Sequence, residues 1–98
     1  MDMTTKLEGK VLTVYPVGKI DTVTTPILEQ TIAEHLDTVE LVVIDMEKTT
    51  LISSACLRFL LTLHRTLMSK KGLILRNPND NILEILDYTG FTDIFTIE

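Results

Sequence analysis

Ile44-Asp45-Met46-Glu47-Lys48-Thr49-Thr50-Leu51-Ile52-Ser53-Ser54-Ala55-Cys56-Leu57-Arg58 is the stretch that decides the fold of this chain. An apolar run closes at its start, a polar loop follows, and the loop delivers two serines to a helix. Upstream, Leu41-Val42-Val43-Ile44 is continuous and apolar, as suits a central strand covered on both faces. Downstream, at about 100° per residue, Cys56, Leu57, Leu60, Leu61, Leu63, His64, Leu67 and Met68 share one broad face. Arg58, Thr62, Arg65 and Ser69 share the opposite one. Phe59 falls outside the buried arc, beside two basic side chains, and suggests a contact surface.

Working outward, the same alternation of strands and helices continues. Thr4 to Leu7 reads as a weak edge strand, and Glu8-Gly9-Lys10 as a turn. Val11 to Val17 alternates, and Pro16 marks its end or edge. Gly18-Lys19-Ile20-Asp21 leaves the strand, Thr25 suits an N-cap and Pro26 the first helical position. Leu28, Ile32 and Leu36 form the buried stripe of that helix. Gly72 to Arg76 is a further strand, Asn77 to Asn81 a loop, and Asn81 with Glu84 a capping box. Gly90 suits the stop of that helix, and Ile94 to Ile97 a last strand. The order β-β-α-β-α-β-α-β implies one α/β domain over residues 1–98, with a mixed sheet packed against helices.

Composition narrows the function. At 98 residues and 45% hydrophobic, the chain has apolar material for a single core. A formal net charge of −5 opposes direct nucleic-acid binding and anionic membrane surfaces. Cys56 is the lone cysteine, which fits a reducing compartment. The N-terminus lacks a signal-peptide pattern, and no run approaches the roughly 20 apolar residues of a membrane span. The expectation is a cytoplasmic protein.

Catalytic chemistry has little support. His35, His64 and one cysteine make no metal-ligand cluster, and the scattered glycines make no phosphate cradle or cofactor loop. No nucleophile elbow is present. His64 reads as a core or sheet-edge histidine, and Cys56 as packed and unreactive. Ser53 and Ser54 are accounted for by helix capping. The same position also suits a switch, because free amides and the dipole at a helix start favour a phosphate.

Three segments carry a resemblance. Gly18-Lys19-Ile20-Asp21-Thr22-Val23-Thr24, Asp45 through Arg58, and Leu86-Asp87-Tyr88-Thr89-Gly90-Phe91-Thr92-Asp93-Ile94-Phe95 resemble, in order, the motifs of the STAS domain, the domain of sulfate transporters and anti-sigma factor antagonists. The resemblance implies a four- or five-stranded sheet and a free-standing, non-enzymatic antagonist. In such members a serine at the second helix start is phosphorylated by a partner anti-sigma factor of the histidine-kinase-like ATPase class. The unmodified form binds that kinase and frees the sigma factor, and a serine phosphatase restores it. By motif position the phosphoserine falls on Ser54, with Ser53 as the alternative. Asp21 matches an acid near the site. Asp21, Thr22, Thr24, Ser53, Ser54, Ala55, Arg58, Phe59 and Thr62 are the expected partner surface. Ser53 and Cys56 depart from the family's usual Asp and Gly. A STAS module that is never phosphorylated, acting as scaffold or ligand sensor, is the other reading.

Overall fold

The computed structural model describes residues 2–98. In chain order the elements are β1 (Met3–Glu8), β2 (Val11–Pro16), β3 (Gly18–Ile20), α1 (Thr25–Ala33), β4 (Leu41–Asp45), β5 (Thr49–Ile52), α2 (Ser54–Leu67), β6 (Gly72–Arg76), α3 (Asp80–Tyr88), a short 3₁₀ turn (Phe91–Asp93) and β7 (Thr96–Ile97). The main sheet has five strands in the order β1-β2-β4-β6-β7. β1 runs antiparallel to β2 through a turn in which Gly9 takes φ +59°, and the other pairs are parallel. β3 and β5 form a separate two-stranded parallel sheet. The fold is the expected α/β domain with a mixed sheet.

Alternation along the strands defines one core. Leu12 and Val14 of β2, Val42 and Ile44 of β4, and Leu73 and Leu75 of β6 all join a single buried cluster. Leu28 and Ile32 of α1, Cys56, Leu57, Leu60, Leu63 and Leu67 of α2, and Ile82 and Leu86 of α3 complete it. All three helices therefore cover the same face of the sheet. β4 is buried on both faces, as expected, although the helices cover only one of them. Val43 and Thr13 are buried but lie outside that cluster, on the far face, among the side chains of adjoining strands. Strand-on-strand neighbours bury them without a second helical layer.

Other boundaries differ for local reasons. Thr24, not Thr25, is the N-cap of α1; Thr25 is inside the helix, where its hydroxyl donates to the Asp21 carbonyl at 2.6 Å. α1 ends at Ala33, and Leu36 packs on the core from the turns beyond it. Asn79, not Asn81, caps α3 by accepting from the Ile82 amide at 2.8 Å. Asn81 is exposed within the helix. Met68, expected on the buried face of α2, is the helix cap and is exposed, and Leu61 is half-buried. The last strand is confined to Thr96–Ile97 because the 3₁₀ turn reaches Asp93.

Two polar devices fix the ends of the strands. The buried Asp45 carboxylate accepts from Arg76 Nε at 2.9 Å and from the Glu47 amide at 3.0 Å, tying the end of β4 to β6. Burial pushes its pKa up, but these bonds, with Asn77, outweigh that and hold it below the ordinary carboxylate value. Lys70 Nζ donates to the carbonyls of Leu36 and Val39 at 2.6 and 2.9 Å, closing the chain after α1. His64 sits half-buried with its ring edge-on to Phe95, centroids 5.8 Å apart, so aromatic packing holds it at the sheet edge.

Candidate functional site

The site is built by the two short strands that the sequence pattern did not reveal. β5 follows β4 through a turn closed by the Thr49 amide donating to the Met46 carbonyl at 3.0 Å. The Thr49 hydroxyl, buried, donates to the Pro16 carbonyl at 2.8 Å, and the Gly18 amide donates to the Lys48 carbonyl at 2.8 Å. β5 thus lies beside β3, with Ile20 opposite Ile52. Asn79 Nδ2 donates to the carbonyls of Thr49 and Thr50, both at 3.2 Å, so α3 holds the other side of β5. The segment before the serines is a fixed strand.

At the end of β5 the chain turns into α2. The Ser53 amide donates to the Ile20 carbonyl at 2.9 Å, and the Ser53 hydroxyl accepts from the Cys56 amide at 3.2 Å. Ser53 is therefore the N-cap, half-buried and committed to the helix. Ser54 is the first helical residue and is exposed. Its own amide and that of Ala55 belong to the helix start, where no intrahelical acceptor exists. Cys56 points inward with no exposed surface, and burial pushes its thiol up to about 12. The helix takes a small thiol at this position because it packs against the core.

Next to Ser53, the residues after Ile20 form a tight polar turn. Asp21 Oδ1 accepts from the amides of Thr24 and Val23, both at 2.9 Å. The Thr24 hydroxyl accepts from the Asp21 amide at 2.8 Å, and its proton has two acceptors at 3.1 Å, Asp21 Oδ1 and the Lys19 carbonyl. The amides of Thr24 and Val23, with the Thr24 hydroxyl, hold the Asp21 carboxyl below its ordinary pKa. Asp21 is thus a turn-forming anion at the start of α1.

The two helix starts enclose an open groove of about 470 Å³. Thr22, Thr25, Pro26 and Glu29 line one wall, and Ala55, Arg58, Phe59 and Thr62 the other. Of the residues named from the sequence, Thr22, Ala55, Arg58, Phe59 and Thr62 meet here. Ser53 and Ser54 form the adjoining helix start, and Asp21 and Thr24 the turn. Arg58 and Thr62 are exposed, as their helical positions predict, and Thr62 Oγ1 donates to the Arg58 carbonyl at 3.1 Å. Phe59 departs from the wheel: it is half-buried and packs on the core as well as lining the groove. Thr25, Pro26 and Glu29 were missed as lining residues. Pro26 and Glu29, three apart on one helix face, were the available signal. Among the described residues no group of three or more metal-ligating side chains occurs, and no helix is long and apolar enough to cross a membrane.

The architecture, a mixed five-stranded sheet with three helices packed on one face, is that of a known domain class. The STAS domain model matches residues 2–98, and the chain belongs to the STAS domain family. Several of the solved structures it resembles are anti-sigma factor antagonists. One from Mycobacterium paratuberculosis superposes with a TM-score of 0.85 at 26% identity, covering 98% of this chain and 85% of that one. The antagonist SpoIIAA in its unphosphorylated form gives 0.85 at 15% identity, over 99% of this chain and 88% of that one. The phosphorylated form of the Bacillus cell fate determinant SpoIIAA gives 0.77 at 15% identity, over 99% and 91%. No curated protein matches the sequence.

Proposed function

We propose that this protein is an anti-sigma factor antagonist switched by phosphorylation of Ser54. In this reading the unmodified domain binds an anti-sigma factor that is itself a serine kinase of the histidine-kinase-like ATPase class. The kinase supplies the catalytic base and ATP. Ser54 Oγ takes the γ-phosphoryl group, ADP leaves and the hydroxyl proton is released. A phosphatase restores the serine. The protein acts in the cytoplasm, as a binding module and not as an enzyme.

The observation that carries the choice of serine is the division of labour at the α2 start. Ser53 spends its hydroxyl on the Cys56 amide, whereas Ser54 stands exposed at the first helical position. A phosphate on Ser54 meets the positive end of the helix dipole. Arg58 follows four residues later, the spacing at which an anion and a following cation share a helix face. The domain tolerates the charge, while a partner packed over the groove would have to bury it. The neighbouring SpoIIAA, solved in unphosphorylated and phosphorylated forms, supports the reading by likeness of fold. Phosphosite mapping after incubation with a kinase of this class and ATP tests it: phosphate on Ser54 is expected, and phosphate on neither serine would favour an unphosphorylated scaffold.

A further inference from the structure

We infer that the outer surface of β5 and α3 is a second docking site, separate from the α1–α2 groove, and that its occupant is a basic amphipathic segment of another protein. Two observations point there. The first is an open apolar groove of about 410 Å³ lined by Leu51, Asn81, Glu84, Ile85, Tyr88 and Thr89. Leu51 is 42% exposed and Tyr88 is 92% exposed. Tyr88 is an amphipathic ring held almost wholly in solvent, a side chain enriched at protein interfaces. Leu51 faces outward because Ile52 takes the inward position of β5, while Ile82 and Leu86 turn α3's other face to the core.

The second observation is charge. Residues 1–76 hold nine Lys and Arg and nine Asp and Glu, which cancel. Residues 77–98 hold five acids and no Lys or Arg, so the whole net charge of −5 falls on this segment. Asp80, Glu84 and Asp87 lie on α3, all exposed, and Glu84 lines the groove itself. The field there attracts cations and repels phosphate backbones and anionic lipid. Nucleic acid and anionic membrane are thereby disfavoured, and a protein segment with aliphatic or aromatic anchors flanked by Lys or Arg is the complementary occupant. Lys19 of β3 pairs in register with Leu51 but does not line the groove. Occupancy touches β5 three residues before Ser54, yet the inference does not rest on the Ser54 reading.

The test uses the ¹⁵N-labelled chain alone, titrated with a short amphipathic peptide of Leu and Lys, and with a control in which Glu replaces Lys. Amide shifts are expected at Leu51, Glu84, Ile85 and Tyr88, with affinity falling as salt rises and no binding of the control. Leu51→Ser and Tyr88→Ser should each weaken binding about tenfold, as for an interface anchor. At 92% exposure, Tyr88→Ser should leave the thermal midpoint unchanged. Shifts spread over acids elsewhere, shifts confined to the α1–α2 groove, equal binding of the control peptide, or variants that bind like the parent would each overturn the assignment. So would a dimer in sedimentation that Tyr88→Ser dissociates, because the patch would then belong to a second copy.

Discussion

The Ser53 hydroxyl accepts the Cys56 amide at 3.2 Å, so the first of two adjacent serines is bound into the helix start while the second is left in solvent. The pair has two different chemical environments one residue apart. Ser53→Ala should therefore lower stability by about 0.5–2 kcal/mol, the worth of an N-cap side chain, and should still accept phosphate at Ser54. Ser54→Ala should leave stability within about 0.5 kcal/mol, as for an exposed substitution. Urea unfolding of both variants checks the asymmetry; equal losses would contradict it.

Cys56 should resist thiol reagents in the folded protein. Its side chain has no exposed surface and its pKa is pushed up to about 12, so thiolate is scarce at neutral pH. Labelling should track global unfolding, rising with denaturant along the same curve as the loss of circular dichroism. Labelling of the native chain at the rate of a free thiol would show that the start of α2 opens locally.

Asp45→Asn should destabilise the domain by about 1–3 kcal/mol by removing the charged acceptor of the Arg76 and Glu47 bonds. Because the folded carboxyl titrates below its ordinary value, its contribution is fully present above the unfolded pKa of about 3.9. It is lost as pH falls through the folded value. Stability of the parent should decline toward acid pH faster than that of Asp45→Asn, and the two curves should converge there. Parallel curves would show that the carboxylate does not contribute.

Arg58→Glu should weaken partner binding by about tenfold or more without lowering stability appreciably, because Arg58 is exposed on the groove wall. Phe59→Ala should weaken binding too, but with a stability loss of about 1–2 kcal/mol. That is below the 3–5 kcal/mol of a fully buried aromatic, in keeping with a half-buried ring on the core. Calorimetric titration beside thermal denaturation separates the two effects; full binding by both variants would place the contact elsewhere.

The long periodic elements were legible in the sequence: Leu41 to Ile44, the apolar arc of α2 and the strand at Gly72 reappear with their bounds within a residue or two. The short β3 and β5 were not. They span three and four residues, mix polar with apolar positions, and exist through pairing with each other and through the Thr49–Pro16 and Asn79–Thr49 bonds. Such contacts across tens of residues leave no local periodicity. The caps shifted for a related reason: Asn79 and Asn81 are equally good capping residues in isolation, and Asn79 takes the role while its amide also reaches β5. The serine pair was visible at once, but its division of roles was decided by the register that brings Ser53 against Ile20.

The central claim is that phosphate on Ser54 ends partner binding while the fold persists. A dianion at the α2 start is favoured by the dipole by roughly 0.3–1 kcal/mol at an exposed site, so phosphorylated protein should melt no lower than the parent. Buried unpaired beneath a partner, it costs several kcal/mol, and a loss of about 4 kcal/mol is near a thousandfold in affinity. The direct measurement is a calorimetric titration of the cognate anti-sigma factor with unmodified protein and with protein shown by mass spectrometry to be phosphorylated. The account predicts phosphate on Ser54 and an affinity weaker by about a thousandfold. Phosphate on Ser53, or equal affinity of the two forms, would contradict it.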